Sequence, residues 1–189
     1  MSTENWEKAQ NLYQNGEIDK AIEIYEKLYF KNDYLAAIAI GAIYESEGNY
    51  DAMLSADEWY EKALNRGNDV KVALILGNIY LFYFQDKNNG YEKAYKYYSI
   101  DILSDNHIAL LNLGRIFHNG WGVEKDINKA TDLYRLSWKN GNSMAAMCLS
   151  SISKNKREWF SAFYFRIVAI IKMIYNLVTG KKDEYLRDR

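Results

Sequence analysis

The 189-residue chain contains no proline. Proline breaks helices and marks turns, so its absence favours long helical runs over turn-rich sandwiches. Cysteine is nearly absent as well. Cys148 is the only one, which excludes an intramolecular disulfide. It lies in the apolar stretch "MAAMCLSSI" with no histidine or basic partner near it in sequence, the setting of a small buried hydrophobe rather than an activated thiolate. The two histidines, His107 and His118, are eleven residues apart, too far for an i, i+4 metal pair. Neither a metal site nor a cofactor is expected. Net charge is −1, so no global field points to nucleic acid. The opening "MSTENWEKAQ" lacks the basic patch and apolar run of a secretory signal, and a cytoplasmic location is the expectation.

The near-neutrality hides an asymmetry. Residues 1–153 carry 15 Lys/Arg against 21 Asp/Glu, whereas residues 154–189 carry 9 against 4. The expected division is a repeat region over 1–155 and a C-terminal amphipathic helix with a basic tail over 156–189.

Self-similarity is the strongest signal present. An Ala…Tyr pair spaced by four recurs as Ala21/Tyr25, Ala56/Tyr60, Ala94/Tyr98 and Ala130/Tyr134, at steps of 35, 38 and 36 residues. A second landmark, Gly with an aromatic three later, recurs as Gly41/Tyr44, Gly77/Tyr80 and Gly114/Phe117, at steps of 36 and 37. Each unit reads as two helices. Apolar residues in "DYLAAIAIGAIYESEG" fall at helical spacing and Gly48 ends the run. In "ADEWYEKALNRG", Gly67 is the expected left-handed residue after the helix. Small residues let neighbouring helix backbones approach, and a lone hairpin cannot bury both faces, so hairpins stack.

The stretch 108–149 resembles a Sel1-like repeat, a variant of the tetratricopeptide helical hairpin. The likeness rests on Ala109, Leu113, Gly114, Phe117, Gly120, Gly122, Val123, Asp126, Lys129, Ala130 and Tyr134. Residues 33–67 match it partially, "LFYFQDKNNG" replaces the glycine turn in the next unit, and the likeness covers about residues 4 to 153. The resemblance implies an all-α, right-handed solenoid of about four hairpins and a half-repeat, with a long C-terminal capping helix. Gly120 and Gly122 are then turn residues and Asp126 a helix cap. A phosphate-binding loop would need a preceding strand and a third glycine or Gly-Lys-Ser/Thr, and "VEKD" follows Gly122 instead.

No serine stands in a nucleophile-elbow context and the carboxylates fall on solvated helix faces, so catalysis is not expected. Binding is. In the geometry that the resemblance implies, first helices line a concave groove. Positions −6, −3, +1, +4 and +5 from each helix glycine point inward: Leu35, Ile38, Ala42, Glu45 and Ser46; Lys71, Leu74, Asn78, Leu81 and Phe82; Ile108, Leu111, Arg115, His118 and Asn119. Ile38, Leu74 and Leu111 would form an apolar floor, with polar groups beside it to select a peptide or protein partner. The aromatic run Tyr80–Phe84 is either a surface anchor or packing for the next hairpin. Bacterial proteins with this repeat are commonly adaptors or regulators, and some inhibit a specific toxin. The resemblance therefore implies a non-enzymatic interaction module, with a toxin-neutralising inhibitor and a membrane-peripheral scaffold as alternatives. Monomer and homodimer both stay open.

The segment 157–182 has no repeat landmarks. On a helical wheel Phe160, Phe163, Tyr164, Ile167, Val168, Ile170, Ile171, Ile174, Tyr175 and Val178 span about half the circumference. Three roles are open: a cap on the repeat end formed by Met144, Met147, Leu149 and Ile152; a membrane-interface helix aided by Lys154, Lys156, Arg157, Lys181 and Lys182; or docking to a partner or second copy. A transmembrane span is disfavoured because Arg166 and Lys172 would each cost about 2.5–3.5 kcal/mol near the bilayer centre.

Overall fold

The structure is a computed structural model that describes residues 2–85, 89–101, 106–155 and 159–179. Among these are ten α-helices and no strand. The chain divides into two compact units, Met1–Ile79 and Tyr80–Arg189.

The first unit holds α1 (Ser2–Gln14), α2 (Ile18–Phe30), α3 (Tyr34–Glu47), α4 (Tyr50–Gly67) and most of α5 (Val70–Phe82). Packing runs between chain neighbours, α1 on α2, α2 on α3 and α3 on α4. Asp33 organises one junction with both oxygens. One caps α3 by accepting from the Leu35 amide, and the other accepts the Trp6 indole N–H at 2.8 Å. Gly48 ends α3 at φ 69°, as its place in the sequence implies, and Asn49 caps α4 by accepting from the Ala52 amide.

The small-residue landmarks have a direct physical cause. A methyl group on Gly41 would sit 2.9 Å from the Tyr60 ring, and one on Gly114 only 2.5 Å from the Tyr134 ring. Each tyrosine lies almost fully buried across the backbone of the preceding helix. Gly67 departs from the expectation. The left-handed residue after α4 is Asn68, at φ 47°, and Gly67 is the last helical residue. Gly67 serves close approach instead: a methyl there would meet the Tyr34 ring at 2.3 Å.

The second unit holds α6 (Gly90–Asp101), α7 (His107–Asn119), α8 (Ile127–Lys139), α9 (Ser143–Asn155) and α10 (Trp159–Thr179). Packing again links consecutive helices. The opening of α8 matches expectation in detail: Gly120 and Gly122 have φ of 75° and 65°, and Asp126 caps α8 by accepting from the Asn128 and Lys129 amides. Trp121 stacks on Tyr91 at 5.2 Å, and a methyl on Gly122 would lie 2.7 Å from the Glu92 amide nitrogen. The wide loop is thus pressed onto the start of α6. The aromatic run divides: Tyr80, Leu81 and Phe84 are buried, while Phe82 and Tyr83 are about half exposed.

α10 covers the core cluster of Leu111, Ala130, Tyr134, Ala145, Leu149 and Ile152, but not with the face that its apolar residues suggest. Phe165 packs against this cluster and meets Trp138 edge-on at 5.5 Å. Ala162 and Ala169 are buried, the Ser150 hydroxyl donates to the Ala162 carbonyl, and Lys172 donates to the Gly141 carbonyl. Phe160, Phe163, Tyr164, Ile167, Ile170, Ile171, Ile174, Tyr175 and Val178 are turned to solvent. Small side chains win the packed side because they let α10 lie close along α9. Of the cations expected to flank this helix, Lys156, Arg157, Lys181 and Lys182 lie outside the described residues.

Two stability tests follow from this packing. Alanine at position 114 gains helix propensity of about 1 kcal/mol over glycine, but at 2.5 Å the buried Tyr134 ring would have to shift. Gly114→Ala is therefore expected to lose about 1–3 kcal/mol in urea unfolding, more than Gly41→Ala, where the ring stands farther off. Deleting residues 156–189 strips Phe165 from Leu149 and Ile152, each large buried side chain being worth about 1.5–3 kcal/mol. That truncated chain should aggregate or melt far earlier, and a soluble one with unchanged Tm contradicts the capping role.

Candidate functional site

The residues expected to line a groove sit on α3, α5 and α7, and the structure sorts them into three kinds. The first is core. Leu111 is 0% exposed in the cluster beneath α9 and α10, and Ile108 and Leu81 are also buried. Leu111 is therefore no part of an apolar floor open to a partner: α7 is enclosed by α8 and α9, and large aliphatic side chains on it are drawn into that core. Leu74 and Ile38 are half-buried.

The second kind is tied to a buried tyrosine. Glu45 stands four residues after Gly41, and its carboxylate accepts the Tyr60 hydroxyl at 2.7 Å. His118 stands four after Gly114, and its Nδ1 lies 3.5 Å from the Tyr134 hydroxyl. The register is the same in both hairpins. A tyrosine whose ring crosses the helix glycine brings its hydroxyl out one turn later, where a polar side chain meets it. Burial pushes the Tyr60 hydroxyl well above its ordinary pKa, reinforced by the bond to Glu45, and burial does the same to Tyr134. Both phenols stay protonated at any ordinary pH.

The third kind is accessible. Ala42, Ser46 and Lys71 are exposed in the first unit, as are Phe82 and Asn119 in the second; Asn78 and Arg115 are half-buried. The Arg115 guanidinium donates to Asn112 Oδ1 at 3.3 Å, and fully buried Asn112 donates in turn to the Tyr98 hydroxyl at 2.9 Å. Asn119 donates to the Arg115 carbonyl at 2.8 Å. Arg115 and Tyr134 also reach Cys148, whose thiol is pushed up by burial despite their opposing pull. Cys148 is therefore a neutral thiol, in keeping with the sequence reading.

A cavity of about 350 Å³ opens in the first unit, lined by Gln10, Tyr13, Gln14, Tyr25, Ala39, Ala42 and Ile43. Of these only Ala42 was expected from the glycine register. The α1 residues were missed because α1 has no glycine to count from: fully buried Ala9 stands there instead. Among the described residues no group of three or more His, Cys, Asp or Glu is placed to hold a metal ion.

No family model matches the chain. It is 28% identical over 153 residues to the ERAD-associated E3 ubiquitin-protein ligase component HRD3 of Candida glabrata, covering 80% of this chain but 16% of that protein. The chain thus spans a small part of that relative's length. Among solved structures it resembles c5321, described as a protective antigen present in uropathogenic Escherichia coli strains displaying an SLR fold. That match has a TM-score of 0.69 and 21% identity, over 99% of this chain and 43% of that one. It also resembles a Sel1 repeat protein from Oxalobacter formigenes, with a TM-score of 0.68 and 23% identity, over 86% of this chain and 70% of that one. The chain therefore has the fold of Sel1-like repeat proteins, an all-α solenoid of helical hairpins, as the landmarks at 108–149 imply.

The environment of His118 sets a pH response. Burial lowers its pKa below the ordinary 6.5, and Lys125 adds to the effect. The unfolded chain then takes up a proton that the folded chain resists, so stability is full above 6.5 and declines as pH falls below it. Urea midpoints measured from neutral to mildly acidic pH should drop for the wild type, and the drop should be smaller in His118→Asn.

Proposed function

We propose that the chain is a non-enzymatic interaction module that holds a peptide or protein partner on the faces of its first helices. The observation that carries this reading is the cavity beside exposed Ala42, lined by Tyr13, Tyr25, Ile43 and the amides of Gln10 and Gln14. Aromatic walls with a few amides suit an extended or helical peptide, since rings supply contact area and amides fix the register. In the second unit exposed Asn119 and half-buried Arg115 add polar side chains on α7. HRD3, which the chain matches over a small part of its length, is named as a component of an E3 ubiquitin-protein ligase, and membership of an assembly supports a binding role. Glu45 in the first unit and His118 in the second, bonded to or facing tyrosine hydroxyls, each hold the shape of their own helix face.

The test is capture of partners from extract by immobilised wild-type chain, Ala42→Arg, and Arg115→Ala. Ala42→Arg fills the cavity mouth from an exposed position and is expected to lose at least one partner that wild type retains, with helix content and Tm unchanged. Retention of every partner by both folded variants overturns the reading.

A further inference from the structure

Among the described residues, the solvent-facing side of α10 is an apolar surface that the fold leaves uncovered. Along about 30 Å of helix, Phe160, Phe163, Ile167, Ile171, Ile174 and Val178 form one stripe; Phe160 is 93% exposed and Ile171 60%. Contiguous exposed apolar surface of this size marks an interaction site. By length and composition the segment Phe160–Thr179 is also able to cross a membrane.

We propose that α10 lies in the plane of an anionic lipid surface, with this stripe sunk into the headgroup–acyl boundary. Three observations select that occupant and orientation. First, the opposite side of the helix is already engaged. Lys172 donates to the Gly141 carbonyl, the Ser150 hydroxyl donates to the Ala162 carbonyl, and Phe165 packs on Trp138. Spanning a bilayer would tear these contacts away and draw Arg166 and Lys172 into hydrocarbon. Lying flat keeps all of them and still buries the stripe. Second, Tyr164 and Tyr175 line one edge of the stripe, each 55% exposed, amphipathic rings in the place where one edge meets lipid and the other water. Third, residues 154–189 carry 9 Lys/Arg against 4 Asp/Glu. Exposed Lys154 and Arg166 belong to that excess. It attracts anionic headgroups. The same excess opposes pairing of α10 with α10 of a second copy, which would bring two basic segments together.

The test uses the full chain and vesicles of phosphatidylcholine, with or without phosphatidylserine, pelleted by centrifugation. The wild type should partition onto the mixed vesicles about tenfold better than onto phosphatidylcholine alone, and high salt should release it. The pair Ile167→Glu and Ile171→Glu, both on the outward side, should abolish binding with helix content and Tm intact. Should that variant misfold, Lys154→Glu with Arg166→Glu gives the second readout, weakened binding to the mixed vesicles alone. Arg115→Ala should bind vesicles like wild type, which separates this result from any failure of partner capture. A wild-type chain that stays in the supernatant with both vesicles overturns the proposal. So does binding indifferent to salt and to phosphatidylserine, the signature of a spanning helix. A lipid-free dimer that the Ile167/Ile171 variant splits overturns it in favour of a second copy.

Discussion

In each unit a tyrosine ring lies against the glycine backbone of the helix before it. Tyr60 covers Gly41 and Tyr134 covers Gly114, at separations that leave no room for even a methyl group. Much else depends on this contact. It sets the spacing within the hairpin, and it buries the ring while delivering the hydroxyl to the surface one helical turn later. It also explains why alanine and tyrosine recur with the same period as glycine: the alanine one turn before the tyrosine must be small for the same reason. Ala56 and Ala130 are both fully buried.

A consequence of this packing is that polar residues on the first helices are tied to the interior. Glu45 accepts a buried phenol, and Arg115 completes a chain through Asn112 to Tyr98. A buried hydroxyl or amide left unpaired costs about 1–3 kcal/mol, so such residues are fixed by the interior before any partner arrives. A surface ordered in this way loses less entropy on binding.

The hairpin architecture was legible from residue identities because small-residue and aromatic landmarks recur at fixed intervals, and each landmark answers to a steric need that the sequence alone declares. Gly48, Gly120, Gly122 and Asp126 occupy the backbone roles expected of them. Gly67 did not, because glycine satisfies both a left-handed turn and a close contact, and only the position of Tyr34 tells the two apart. Leu111 and α10 were harder for a related reason. Apolar character says that a side chain is better away from water, not which neighbour covers it. On α7 the neighbours cover Leu111 fully; on α10 alanines won the inner side because proximity of backbones outweighed the area that the bulkier residues offered. The cavity residues on α1 lay outside any register that could be counted from glycine.

Within each unit, helices touch chiefly the helices next to them in the chain. Such wiring keeps nearly every contact short in sequence, so little loop-closure entropy must be surrendered before native contacts repay it. No proline isomer has to be sorted in a chain that has none. The same shortness means that a hairpin gained or lost at a unit's edge disturbs only its immediate neighbour, which makes this a chain able to change length by whole hairpins without redesigning its interior.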